Sequence, residues 1–218
     1  MKQLKTVLIA TMLTLTANAG WKPLKRLNYY GPTAFTLKDS IRYMEIRKHT
    51  TSSLIEPGAS NASIKQSTTL RVYTYTPDDK KIFENMKMKK HYSIKKGKQD
   101  SMHASSEWYY NGFILDNAGK KWQLENANEV IDMVKPIDTP AEISLVLWLA
   151  GGKADHGSNY SAKYRKSGKN YIVREHFAIT DYAHKCGNYL YQYKISRWGN
   201  ILQKRLISKK PTKDCGSE

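Results

Sequence analysis

The stretch Tyr189-Leu190-Tyr191-Gln192-Tyr193-Lys194-Ile195-Ser196-Arg197-Trp198-Gly199-Asn200-Ile201-Leu202-Gln203-Lys204-Arg205-Leu206-Ile207-Ser208 decides the fold class. Tyr189, Tyr191, Tyr193 and Ile195 recur at period two, the spacing that sets side chains on one face of a strand. Trp198-Gly199-Asn200 supplies a turn and Ile201 to Ser208 a return strand, so the segment reads as an antiparallel hairpin. Its tyrosine row is expected to be one packed face of a sheet; a platform for stacking sugars or bases is the other use of such a row. Cys186 precedes the first strand and Cys215 follows the second, so a Cys186–Cys215 disulfide is expected to staple the open end of the hairpin. The chain-entropy relation gives such a bridge about 3.5 kcal/mol.

Working outward, Ala162 to Lys166 and Tyr171 to Arg174 flank the turn signal Ser167-Gly168-Lys169-Asn170 and form a second hairpin. Trp108 to Leu115 and Lys120 to Leu124 flank Asp116-Asn117-Ala118-Gly119 and form a third. Leu70 to Thr76 is β-branched and aromatic, ends at Pro77-Asp78-Asp79, and reads as a strand. Two helices are punctuated between these hairpins. Asn126 with Glu129 makes a capping pattern, and Pro136 stops that helix near Val134. Thr139-Pro140-Ala141-Glu142 opens the second, which Gly151-Gly152 ends. Ile143, Leu145, Val146, Leu147, Trp148 and Leu149 leave it almost no polar face, so burial is expected. Leu37, Ile41 and Met44 predict a helix within residues 20–48, in preference to a strand over Ile41 to Ile46. Residues 50–69 are rich in Ser, Thr, Gly, Pro and Asn and read as a long loop or linker after a small N-terminal segment. The expected class is α+β: a mainly antiparallel sheet built from hairpins with two short helices inserted mid-chain, in one domain over residues 20–218.

The N-terminus has the pattern of a targeting segment. Lys2 and Lys5 are basic, Thr6 to Thr16 is largely apolar or small, and Ala17-Asn18-Ala19 suits a signal peptidase. Residues 1–19 are therefore expected to be a cleaved signal peptide, and the protein periplasmic or secreted. No later stretch reaches the roughly 18 apolar residues of a membrane span. Asn61-Ala62-Ser63 and Asn159-Tyr160-Ser161 are glycosylation acceptors in a host with that machinery.

Charge is the strongest compositional signal. The 218 residues hold 36 Lys plus Arg against 19 Asp plus Glu, and residues 20–218 keep a formal charge of +15. The excess is segmented: residues 20–99 carry 17 bases against 6 acids, residues 100–142 carry 3 against 8, and residues 143–218 carry 14 against 5. Lys87, Lys89, Lys90, Lys95, Lys96 and Lys98 form one candidate binding face. Arg197, Lys204 and Arg205, continued by Lys194, Lys209, Lys210 and Lys213, form another. Such faces attract an acidic partner protein or an envelope polyanion, and they also serve solubility. Sequence-specific nucleic-acid recognition is not expected, since no helix, finger or stacking-sheet signature is present. Nothing in the pattern sets an oligomeric state.

The chemistry-bearing residues are sparse. Asp155, His156, Glu175, His176, Asp181 and His184 form the one dense grouping of acid, base or ligand types, and His156, His176, Asp155, Glu175 and His184 are the catalytic candidates of a secreted hydrolase. The histidines are twenty and eight residues apart, outside the spacing of a helical zinc motif. No nucleophile elbow, phosphate loop or dinucleotide fingerprint occurs, and neither metal nor cofactor is expected. Composition therefore favours a non-enzymatic exported binding protein. The alternatives are that hydrolase, and an inhibitor or assembly subunit acting through Ile143 to Leu149 or the tyrosine row.

Overall fold

The computed structural model describes residues 20–31, 34–54, 63–74, 92–100, 104–152, 160–179 and 186–211. Among them are ten strands and two α-helices, an α+β arrangement of antiparallel sheets with the helices mid-chain. The chain forms two compact units where one domain is expected from the sequence: residues 26–151 are an insert unit, and residues 152–218 with the segment ending at Lys25 are a C-terminal unit. The division follows from a long-range pairing. Strand β1 (Lys22–Leu24) joins β7 (Ser161–Ser167), with Lys22 opposite Tyr164, and so belongs to the later sheet.

The insert unit is a sheet of β2 (Ile41–Leu54), β3 (Ser63–Thr74), β4 (Lys95–Asp100) and β5 (Ala104–Asp116) in the order β3-β2-β5-β4, with β6 (Lys121–Leu124) also paired to β5. Two expectations are corrected here. Residues 41–46 are strand, not helix: over residues 43–47 both faces of central β2 are buried, with Tyr43, Met44 and Ile46 fully enclosed, so its apolar residues do not show the clean alternation that marks a half-exposed strand. Residues 50–54 and 63–69 are paired strand, not linker, with Thr50 opposite Gln66 and Ser53 opposite Ser63. Backbone hydrogen bonds, together with threonine's preference for extended geometry, make that ladder with few large apolar residues, Leu54 and Ile64. Residues 55–62 lie outside the described set.

The expected third hairpin is β5 and β6, closed by Gly119 at φ +83° and by Lys120 N–H donating to Asp116 Oδ1 at 2.8 Å. Gly112 in β5 makes room for Leu124 of β6, whose Cδ1 stands 2.8 Å from where any Cβ at 112 would be. Helix α1 (Ala127–Val134) starts at Asn126, whose side chain accepts from the N–H groups of Asn128 and Glu129. Helix α2 (Pro140–Leu149) opens with the expected Thr139/Glu142 capping box and is buried from Ala141 to Trp148. Glu142 is fully buried and accepts three backbone N–H bonds, from Thr36 at 2.8 Å, Asp138 at 2.8 Å and Thr139 at 2.9 Å. The interaction-helix alternative loses its surface, because Ile143 to Trp148 is core.

The C-terminal unit is one antiparallel sheet in the order β1-β7-β8-β9-β10, where β8 is Asn170–Ile179, β9 is Gly187–Ser196 and β10 is Ile201–Lys210. Both expected hairpins are present, turning at Gly168 (φ +59°) and Gly199 (φ +81°). One face carries Tyr171, Val173, Glu175 and Phe177 of β8 beside Ile195, Tyr193, Tyr191 and Tyr189 of β9. Tyr189, Tyr193 and Ile195 are buried, and the ring of Phe177 stacks on Tyr189 and Tyr191 at 5.7 and 5.9 Å, so the tyrosine row is a packed face. The register then puts Ser161, Lys163, Arg165, Ile172, Arg174, His176, Leu190, Gln192 and Lys194 on the opposite face.

Candidate anion-binding face

Antiparallel pairing brings residues of neighbouring strands into rows whose members stand about 4.8 Å apart. On the face away from the tyrosines one row runs Pro23, Lys163, Arg174, Gln192, Arg205 across all five strands. Arg165, Ile172, Lys194 and Gln203 flank it on one side, and Ser161, His176 and Leu190 on the other. Lys163 and Arg174 are directly opposite, a like-charge pair that costs stability in a sheet unless an anion or a ring offsets it.

A ring does so in part. Trp21, just before β1, has Arg174 Cζ at 4.8 Å, Arg165 Cζ at 5.1 Å and Lys163 Nζ at 5.4 Å from its ring centroid, all within cation–π range. Arg174 is oriented further by its Nε–H, which donates to Gln192 Oε1 at 3.3 Å. Beside these cations is a hollow of about 360 Å³ lined by Ser161, Ala162, Lys163, Arg174, His176 and Leu190. Glu175 is the single acid among the described residues of this unit, and it points to the other face, fully buried, where it accepts from Tyr193 Oη at 2.8 Å. Burial, reinforced by the Glu175 charge and that hydrogen bond, pushes the Tyr193 phenol far above its usual range. Burial also raises Tyr164.

The sequence-derived candidates scatter over this geometry. Arg205 belongs to the cationic row. Lys204, its neighbour on β10, faces the other way and lies 5.4 Å from the rings of both Tyr191 and Tyr193. Arg197 is exposed in the β9–β10 turn. In the insert unit Lys95 is engaged: its Nζ–H donates to Trp148 O at 2.9 Å, at the C-terminal end of α2, and sits 4.5 Å from the Trp148 ring. Lys96 is exposed on β4, and Lys98 follows it in that strand. Lys87, Lys89 and Lys90 lie outside the described residues.

The hydrolase candidates divide similarly. Glu175 and His176 are consecutive in β8 and so point to opposite faces, the first buried and the second exposed, which keeps them from sharing a substrate as acid and base. Asp155, His156 and His184 lie outside the described residues. Cys186 is half-buried immediately before β9 and is not a free thiol; Cys215, its expected partner, is outside the described set. Sequence reading missed the Trp21 cluster because β1 joins β7 across 140 positions of chain, from Pro23 to Lys163. One signal was present: the Ser167 to Asn170 hairpin fixes Lys163 opposite Arg174, an unfavourable pair for a sheet with no ligand. Comparisons with protein-family models, curated proteins and solved structures find no significant match.

Proposed function

We propose that this is a non-enzymatic exported binding protein whose C-terminal sheet takes up an envelope polyanion, a linear polymer bearing phosphate, sulfate or carboxylate groups. The observation that carries the reading is the Lys163-Arg174-Gln192-Arg205 row, with three cations gathered on Trp21 and no acid on that face among the described residues. A row whose successive members stand about 4.8 Å apart fits the charges along an extended acidic chain better than a single compact anion. The signal-peptide pattern at residues 1–19 supports an extracytoplasmic polymer as the ligand. No helix among the described residues is long and apolar enough to cross a membrane.

The test is binding of labelled dextran sulfate and of polyphosphate across a salt series. Affinity is expected to fall steeply with salt, by a log–log slope of about 0.7 to 0.9 per charge contact. The double variant Arg165→Gln/Arg174→Gln should weaken binding at low salt and lower that slope by between about one and two. Equal affinity and slope in that variant would remove this face from the function.

A further inference from the structure

A different surface of the same unit carries its own chemistry. Among the described residues the exposed large hydrophobic side chains are Tyr29 (65% exposed), Trp198 (60%), Leu202 (53%), Leu206 (47%) and Ile207 (40%), and all but the first lie in the β9–β10 turn or on β10. Interleaved with them are Arg197, Lys204, Lys209 and Lys210, and residues 186–211 contain no acid. The turn is fixed rather than loose: Ser196 Oγ accepts from Trp198 N–H at 3.2 Å and Asn200 N–H at 3.0 Å, which presents the indole to solvent.

We propose that the β9–β10 turn and the outer edge of β10 dock on an anionic lipid bilayer. Two observations select that occupant. The strand is at the sheet's edge, but its pairing register shifts between Ile201 and Gln203 and again between Leu206 and Ser208, and such bulges break the flat ladder that an added strand or a second copy of the chain would need. The mixture of exposed leucines with lysines at nearly equal density is unlike the centre of a protein–protein interface, from which lysine is depleted. It fits a headgroup region, where tryptophan lies at the interface, aliphatic side chains enter the acyl boundary and cations meet lipid phosphate. Arg165 and Arg174 lie three and two strands away from β10 in the sheet order, so docking does not rest on the polymer-binding reading.

The experiment is flotation of the purified protein with vesicles of phosphatidylcholine alone or mixed with phosphatidylglycerol, paired with quenching of tryptophan emission by acyl-chain-brominated lipid. Partitioning is expected only with phosphatidylglycerol, with quenching that Trp198→Phe abolishes. Leu202→Ser/Leu206→Ser should weaken partitioning at least about ten-fold with circular dichroism unchanged. Arg165→Gln/Arg174→Gln should leave vesicle binding intact while weakening dextran sulfate binding, so the two proposals fail separately. The docking surface is overturned by any of three results: no partitioning, partitioning that neither Trp198→Phe nor the leucine variant alters, or a dimer in solution that the leucine variant dissociates.

Discussion

Glu142 in the insert unit and Glu175 in the C-terminal unit are both fully buried, yet three backbone N–H groups hold the first while a tyrosine hydroxyl donates to the second. The contrast extends to their surroundings. Glu142 ties α2 to the chain at Thr36 and Asp138, inside a unit that holds every other described acid. Glu175 sits within an aromatic face whose reverse is cationic. The insert unit spends its polar side chains on its own backbone, through caps and turns. The C-terminal unit, Glu175 and Ser196 apart, turns the polar side chains of its row outward, on a sheet already stiffened by stacked rings. Substitutions should therefore separate stability from binding according to the unit in which they fall.

The sharpest break of that comparison is Glu142→Ala, which strands the backbone donors of Thr36, Asp138 and Thr139. A loss of about 3 kcal/mol is expected from denaturant midpoints, with dextran sulfate affinity unchanged under conditions where the variant is folded. Tyr193→Phe comes next, at about 1 to 2 kcal/mol, because it removes a hydrogen bond to a buried carboxylate. That variant also has a pH signature. The folded phenol holds its proton more tightly than the unfolded one, whose ordinary value is 10.0, so its contribution is complete below that pH and declines above it. Stability of the wild-type chain should thus fall more steeply than that of Tyr193→Phe from pH 10.0 upward. Lys95→Met is expected to cost about 1 kcal/mol by removing the cation at the end of α2, again without effect on polymer binding. Arg174→Gln inverts the pattern: stability should change by less than about 0.5 kcal/mol, or rise as the pair with Lys163 is relieved, while polymer affinity falls. If Arg174→Gln destabilises more than Lys95→Met does, the row is structural and the comparison between the units fails.

What could be read from the chain beforehand was what is decided locally. The tyrosine period, the glycines at 119, 168 and 199 and the caps at Asn126 and Thr139 each act within a few residues, and the hairpins and helices they predict are present. Strand β2 was misread because an enclosed strand loses the alternation that marks a strand with one wet face, and the Ser/Thr stretch because pairing needs backbone more than apolar bulk. The anion-binding face was hidden for a third reason. Arg205 and the Lys163/Arg174 hairpin were visible separately, but Trp21 reaches them only once the first strand closes on β7, and no local pattern encodes a contact across so much chain.

The close approach at Gly112 bears on how this sequence can drift through descent. A side chain at 112 would meet Leu124 Cδ1, Cβ and Cγ at 2.8, 3.2 and 3.3 Å, so any residue larger than glycine there requires Leu124 to shift or shrink. Any relative that gains a methyl group at the first position is expected to carry a smaller residue at the second, and that coupled exchange would mark kinship where identity has faded.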